Sequence, residues 1–357
     1  MRRIIWKGAD FCAAEEDGVL TEYLRTETED HAGEILLGKV DRIMSALGCA
    51  FVDIGRKKAG FLPLKENSLS FAGEALKSGM RIPVQIRKEE TGEKGAFLTR
   101  DLTLAGKTVI LMPMNRYIGV SGRITEEGQK EALREIGREI ADGSDEGCSA
   151  DDGTGRRFGL VMRAAALAAE KDEIRAETEA LQAVWHETEE RCAKASRPGE
   201  ILYHADAAKQ MISDYDSMGT EEIREAKTLP ETLQRQLRAA ENRKIPLDNG
   251  GNIVIDRCEA MTVIDVNTGH AGSGGKQGDL LTETNLAACG VIAAQIRLRN
   301  LGGMILIDFI DMEREEDRER VAEKMQEELR KDRRKTVVHG WTRLGILEMT
   351  RKRTGKG

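Results

Sequence analysis

The chain has 357 residues, 40% hydrophobic, 33% charged and only 4% aromatic, with a formal net charge of −7. That length supports two or three domains with cores of their own, and the acidic balance does not advertise a nucleic-acid binder, although local basic clusters can still bind phosphate. Six scattered cysteines with no Cys-x-x-Cys pair argue against a cysteine zinc site or a disulfide framework; with no signal-like leader and no run near the ~20 apolar residues of a membrane span, the expectation is a cytoplasmic protein.

Residues 34–113 carry short strand signals broken by turns: Gly33–Val40, Gly48–Gly55, Ala59–Pro63, Met80–Ile86 and Ala96–Thr99. So many short strands with glycine punctuation predict a small barrel of the OB type. Phe51 and Phe61 flank a turn holding Gly55, Arg56, Lys57 and Lys58. Rings beside cations suit single-stranded nucleic acid, which needs stacking and charge neutralisation. The alternative is that both rings are core residues, the commoner fate of phenylalanine.

Helical spacing follows in Thr125–Ile140 and Ala164–Ala195, separated by loops at Asp142–Asp145 and Asp151–Gly153 and a strand-like Phe158–Arg163. Ser196–Gly199 reads as a linker. Beyond it come a helix over Leu229–Arg243, a turn at Asp248–Gly251 and a strand at Ile253. Helices are also predicted over Thr282–Arg299 and Glu313–Lys335. No internal repeat, P-loop or GxGxxG opening a helix is present. The basic runs Arg330–Lys335 and Arg351–Arg353 are of a kind usually found on solvated faces, though their position also suits phosphate tracking.

Two apolar runs end in carboxylates: Ala260–Asn267, containing Asp265, and Met304–Asp311, containing Asp308. Both read as strands. Residues two apart share a strand face, so Asp265 and Asn267 point the same way. The helix predicted between the two runs makes them parallel neighbours, which brings Asp308 beside Asp265. Carboxylates buried beside apolar surface would cost several kcal/mol without compensation, and a hard cation such as Mg2+ is the simplest source of it. The alternative is that each aspartate merely ends a strand and caps a turn. Asp311, three residues beyond Asp308, is expected to face elsewhere. His270 and His339 are expected at the surface, and Gly269–Gly278 to form a mobile loop beside the site.

On these residues the chain resembles the ribonuclease E/ribonuclease G family. The resemblance runs through Gly250–Asp256, Glu259–Thr262, Asp265–Gly269, Asn285-Leu286, Gln295–Gly303, Ile307–Met312 and Leu344–Arg353, and upstream through Phe51–Gly55, Gly60–Pro63 and Lys94–Thr99. It covers nearly the whole chain in family order. It implies an α+β, multi-subdomain fold in which an S1-type OB β-barrel is inserted in an RNase H-like/5′-sensor region and followed by a DNase I-like α/β catalytic subdomain. The implied boundaries are 1–33 for N-terminal strands of a trimmed RNase H-like subdomain, 34–113 for the barrel, 114–198 for the 5′-sensor, 199–247 for a trimmed RNase H-like segment and 248–357 for the catalytic subdomain.

The resemblance further implies an endoribonuclease of RNA processing or decay. It would cut single-stranded RNA to 5′-phosphate and 3′-hydroxyl ends, with Mg2+ (or Mn2+ in its place) as cofactor. Asp265 and Asp308 match its metal-holding catalytic aspartates and Asn267 the asparagine that orients them. Phe51, Phe61 and Lys94 match residues that hold RNA. Gly106, Ile110 and Arg163 fall where a 5′-monophosphate is sensed, with Lys335 at a supporting basic position. Three departures accompany it. Ala164 stands where the family has threonine beside the sensing arginine, which removes a hydroxyl donor. The 196–250 segment is short for an RNase H-like subdomain. The chain ends before the family's zinc link and small domain, so no zinc is expected and a homo-oligomer is not assured. Two other functions stay open at this point: an RNA-binding protein without cleavage, and a phosphohydrolase of small nucleotides.

Overall fold

Alternating and continuous apolar runs fold as strands along almost the whole chain, and the strands sort into two units. The computed structural model describes residues 2–26, 31–64, 76–90, 92–142, 158–220, 222–269 and 277–352. One unit comprises Met1–Thr28 with Thr220–Gly355, the other Glu29–Gly219. Among the described residues no helix is long and apolar enough to cross a membrane. His270, most of the glycine-rich Gly269–Gly278 loop, and most of the loops expected at 142–153 lie outside the described residues.

The chain opens with β1 (Arg3–Lys7), β2 (Phe11–Glu16) and β3 (Val19–Arg25), an antiparallel meander in the first unit. It then enters the second unit, where β4 (Ile35–Met44), β5 (Cys49–Asp53), β6 (Gly60–Pro63), β7 (Arg81–Lys88) and β8 (Phe97–Thr99) pair in the order β4-β5-β6-β8-β7. Pairing of β7 back onto β4 closes a five-stranded barrel, antiparallel except for β6 against β8. Leu36, Val40, Val52, Leu62, Val84 and Leu98 fill it. Gly38 admits this packing, because a Cβ there would sit 2.5 Å from Val52 Cγ1.

The second unit continues with β9 (Leu104–Ala105), β10 (Val109–Met112), β11 (Ile118–Val120), α1 (Glu127–Asp142), β12 (Gly159–Met162), α2 (Lys171–Lys194), β13 (Ile201–Tyr203) and α3 (Ala207–Asp216). Its second sheet runs β11-β12-β10-β9, with Val109, Leu111, Leu133, Ile140, Leu160 and Ile174 in its core. The single helix expected over Ala164–Ala195 is divided: Ala164–Ala168 is a 3-10 turn, and α2 starts afresh where the Glu173 side chain accepts the Glu170 N–H at 3.2 Å. β13 pairs with β4, which ties residues 201–203 to the barrel.

Back in the first unit, β14 (Glu222–Glu225) lies parallel to β1, giving the sheet order β14-β1-β2-β3. After α4 (Glu231–Ala239) come β15 (Lys244–Pro246), β16 (Asn252–Arg257), β17 (Met261–Asn267), α5 (Gln277–Leu298), β18 (Gly303–Asp308), α6 (Glu315–Leu329), β19 (Thr336–Trp341) and β20 (Ile346–Arg351). Their sheet runs β15-β16-β17-β18-β20-β19, with β17 and β18 parallel across the α5 connection. One face buries Ile253, Ile264, Ile305, Ile307 and Leu347 against Ile292, Ile296 and Val321 of α5 and α6. The helix expected to reach Lys335 ends at Leu329. Asp332 pulls the chain out of it, accepting the Arg334 N–H at 2.9 Å and the buried Arg351 guanidinium at 2.5 and 3.1 Å.

Glu16 holds the first unit's two sheets to one another. Its carboxylate takes Arg3 at 2.8 Å and Arg297 of α5 at 2.8 Å, and all three side chains are buried. Burial would raise the Glu16 carboxyl, but the hydrogen bonds and charges of Arg297 and Arg3 outweigh it and leave it below the ordinary glutamate range. Glu16→Gln, which leaves the buried arginines uncompensated, is expected to lower the unfolding free energy by about 3 kcal/mol in urea titrations. Because the folded carboxyl is depressed, the contribution is full above about pH 4.3 and fades as pH falls through the folded value. Wild type and variant should therefore converge in acid, and an equal gap at every pH would contradict the assignment.

Candidate active site and nucleic-acid interface

Strand alternation sorts the residues of β17 and β18. Ile264, Val266, Ile305 and Ile307 point into the core, while Asp265 and Asn267 are half-buried and Asp308 is exposed on the opposite face. Parallel pairing sets Asp265 directly against Asp308, with strands about 4.8 Å apart. Asn267 donates from Nδ2 to Asp265 Oδ2 at 2.7 Å. The expectation of buried carboxylates is corrected here: both stand on the open face of the sheet, where hydration is only partly lost and a like charge faces each of them. Partial burial, then the charges of Asp265 and Asp311, raise the Asp308 carboxyl above the ordinary aspartate value. Asp311, expected to face elsewhere, thus lies within electrostatic reach of the pair.

Two residues not assigned roles from the sequence shape this site. Asn285 of α5 is fully buried; its Nδ2 donates to Ile310 O at 2.8 Å and its Oδ1 accepts from Ile310 N at 3.0 Å. The clamp sets the backbone that leaves Asp308. A buried asparagine in an apolar helix segment was the available signal. Arg243 forms a paired hydrogen bond with Asp256, the second contact at 2.6 Å, and Asp265 adds to the charge that raises its pKa. It supplies positive charge near the carboxylates, and nothing in local sequence marks it. His339, as expected, is exposed and pairs with Thr350 at 2.9 Å.

The donor set suits one class of ion. Among the described residues no group of three or more His, Cys, Asp or Glu side chains is placed to hold a metal. Two carboxylates with an asparagine beside them fit a hard cation that keeps most of its waters and takes further oxygens from a phosphate, as Mg2+ does.

On the barrel, five residues align across five strands. Arg42 of β4 is in register with Phe51, Phe51 with Phe61, Phe61 with Phe97, and Phe97 with Lys88 of β7. None of the three rings belongs to the barrel core, and each is half-exposed. The centroids of Phe51 and Phe61 are 6.2 Å apart, edge to face, and those of Phe61 and Phe97 are 5.6 Å apart. Arg42 lies 5.3 Å from the Phe51 centroid and Lys88 5.9 Å from that of Phe97. Phe97 escaped notice although it sits inside the Lys94–Thr99 motif, because cross-strand register is invisible in a linear sequence. Lys94 is exposed just before β8. Of the turn cations, Arg56 is paired with Glu89 at 2.7 Å.

The positions expected at a terminal phosphate divide between the units. Gly106, Ile110 and Arg163 lie in the Glu29–Gly219 unit and Lys335, exposed before β19, in the other. Ile110 pairs with Val161 and Ala105 in the second sheet. The Arg163 guanidinium donates to Gly106 O, to Ser213 Oγ at 2.9 Å and to Asp214 Oδ1.

The sequence model of the ribonuclease E/G family matches residues 103–228 and 225–354. The chain is 31% identical over 387 aligned residues to ribonuclease G of Escherichia coli strain K12, covering 95% of this chain and 76% of that protein. Ribonuclease G of Haemophilus influenzae is 32% identical, covering 96% and 77%. Ribonuclease E of Escherichia coli strain K12 is 32% identical across 91% of this chain but only 34% of its own length.

The facing carboxylates carry a direct test. Asp265→Asn removes a charge that holds the Asp308 carboxyl up, so the Asp308 titration followed by NMR should move to lower pH. No movement would mean that the two groups do not face each other.

Proposed function

The chain belongs to the ribonuclease E/G family, and we propose on that footing that this endoribonuclease of RNA processing or decay cuts single-stranded RNA with Asp265, Asn267 and Asp308 as its catalytic group. The observation that carries the proposal is the register pairing of Asp265 with Asp308. Their carboxylate oxygens would hold Mg2+, or Mn2+ in its place, and Asn267 fixes one oxygen of Asp265 so that the pair keeps its orientation. When bound, the ion lowers the pKa of its water and stabilises charge on the attacked phosphate. Water attacks the phosphorus in line, the P–O3′ bond breaks, and the products are a 5′-phosphate and a 3′-hydroxyl.

Phe51, Phe61 and Phe97 would stack successive bases while Arg42, Lys88 and Lys94 track the backbone. In this scheme the closed barrel is the S1-type OB domain, the order β4-β5-β6-β8-β7 supporting it. The β15–β20 sheet with α5 and α6 is the DNase I-like catalytic subdomain, and β1–β3 with β14 the reduced RNase H-like scaffold. Residues 114–198 are the sensor subdomain.

A fluorescent A/U-rich oligonucleotide tests the chemistry. Cleavage should require Mg2+ or Mn2+, leave 5′-phosphate ends, and fall on the order of a thousandfold in Asp308→Asn. Equal cleavage by that variant would refute the site, and tight binding without cleavage by wild type would favour a binding-only role. Phe97→Ala should weaken binding of single-stranded RNA by about tenfold, the loss of one stacked base. Unchanged affinity in a fluorescence anisotropy titration would remove Phe97 from the interface.

A further inference from the structure

The turn between β19 and β20 stands at the acidic end of the sheet. Ile346, the first residue of β20, is the register partner of Asp308, so the turn 342–345 that leads into it lies beside the facing carboxylates. Four hydrogen bonds hold this turn. Thr342 Oγ1 accepts the N–H groups of Leu344 at 3.2 Å and Ile346 at 3.1 Å. The Thr342 N–H donates to Ile346 O at 2.8 Å and the Gly345 N–H to Thr342 O at 3.1 Å. Gly345 closes the turn at φ +80°, which glycine adopts at no steric cost. A second tie runs to the strand that carries Asp308. The Trp341 ring centroid is 5.8 Å from that of Phe309, the buried residue directly after Asp308, and the indole N–H donates to Arg318 O of α6 at 3.3 Å. The tip is therefore fixed relative to Asp308.

What the tip displays is unusual for a solvated turn. Leu344 is 86% exposed, the highest value of any large apolar side chain among the described residues. Arg343 beside it is exposed and, among the described residues, has no ion-pair partner. A guanidinium without a carboxylate is free to take a phosphate, and an exposed leucine gains only from a ligand that desolvates it. One leucine is far below the area that a stable protein interface buries. It is enough to enter the gap between two bases, as apolar side chains do when they part a base step.

We propose that Leu344 is a substrate-positioning wedge that enters the single strand beside the scissile phosphate and parts the flanking bases, while Arg343 holds a neighbouring phosphate. The proposal rests on the nuclease function above and adds a positioning residue to it. Stacking on both sides of a phosphate fixes the backbone torsions between the bases. Parting them lets the phosphorus turn until water, phosphorus and O3′ are in line, the geometry that the reaction needs. The help counts most where stacking is strong. Adenines stack strongly and uracils weakly, so the wedge evens out steps that would otherwise be cut at different rates.

Leu344→Ser and Leu344→Met test this on fluorescent oligo(A) and oligo(U) of one length. Leu344→Ser should slow cleavage of oligo(A) about tenfold through kcat and that of oligo(U) less than about twofold, and Leu344→Met should restore oligo(A). Equal losses on both strands, or no loss, would overturn the proposal, because a leucine that merely supports the turn acts on every step alike. Binding reports the wedge directly. On Asp308→Asn, which keeps the strand intact, an A-rich strand with 2-aminopurine at alternate positions should brighten as stacking is relieved, and adding Leu344→Ser should abolish the rise. No rise, or a rise that survives Leu344→Ser, refutes the wedge. A light-scattering mass that falls in Leu344→Ser, with cleavage and fluorescence unchanged, would assign the leucine to a second copy of this chain instead. If wild type cleaves neither strand, the nuclease proposal fails on its own, and the 2-aminopurine signal still decides the wedge.

Discussion

Two like charges held face to face on adjacent parallel strands are the constraint around which the first unit is organised. Asp265 and Asp308 repel one another, and the fold makes no move to separate them: the register of β17 and β18 is pinned by the apolar residues that alternate with them. A slip of one residue would turn Ile264 and Ile307 to solvent and the carboxylates into the core. The core therefore enforces the repulsion at the surface. Asn285 extends that control beyond the strand end by fixing the backbone at Ile310. A cation held between them, as proposed above, would relieve that repulsion and would link the packing of an apolar sheet face to the chemistry of the opposite one.

Buried charge in the same unit is treated in the reverse way. Glu16 meets two arginines, Arg333 reaches Glu22 at 2.7 Å, and Arg351 is enclosed with Asp332. Glu16–Arg297 and Glu22–Arg333 join segments far apart in the chain, and each pair supplies the partner that a buried ion requires. The Glu16–Arg297 and Glu22–Arg333 pairs attach the N-terminal sheet to the segments around α5 and β19, so the short β1–β3 meander is braced by ionic contacts as well as by Phe11, Leu20 and Leu233. Charge is satisfied where it supports the scaffold and left opposed at Asp265 and Asp308.

The second unit shows how an acidic chain can still present a surface suited to a polyanion. Net charge of −7 describes the whole molecule, yet the barrel carries a belt of three rings ended by Arg42 and Lys88. Stacking is short-ranged and insensitive to distant charge, so the belt can act within an acidic protein. Elsewhere in the unit acids are paired internally, Glu177 accepting the Thr108 N–H and Asp214 the Arg163 guanidinium. One unit thus combines a half-exposed aromatic belt with acids that are paired within the fold.

Hydrophobic periodicity located the strands of the barrel and β16, β17 and β18 of the acidic sheet, since alternation and glycine punctuation are local properties, but it left β15, β19 and β20 unmarked. The parallel pairing of Asp265 with Asp308 was likewise legible, because a helix between two strands leaves few topologies. Other features arose only in three dimensions. The Arg42–Phe51–Phe61–Phe97–Lys88 belt draws on five strands, and no window of sequence contains it. The helix expected to continue to Lys335 stopped at Leu329 because Asp332 bonds a residue near the C-terminus. The exposure of Asp308 and the capture of Arg163 by Asp214 also depend on distant partners. Local pattern determines which segments form strands and which face is apolar. Which charges meet, and whether they attract or oppose, is decided by tertiary packing, since Arg163 and Asp214 lie 51 residues apart, Glu16 and Arg297 281, and Glu22 and Arg333 311.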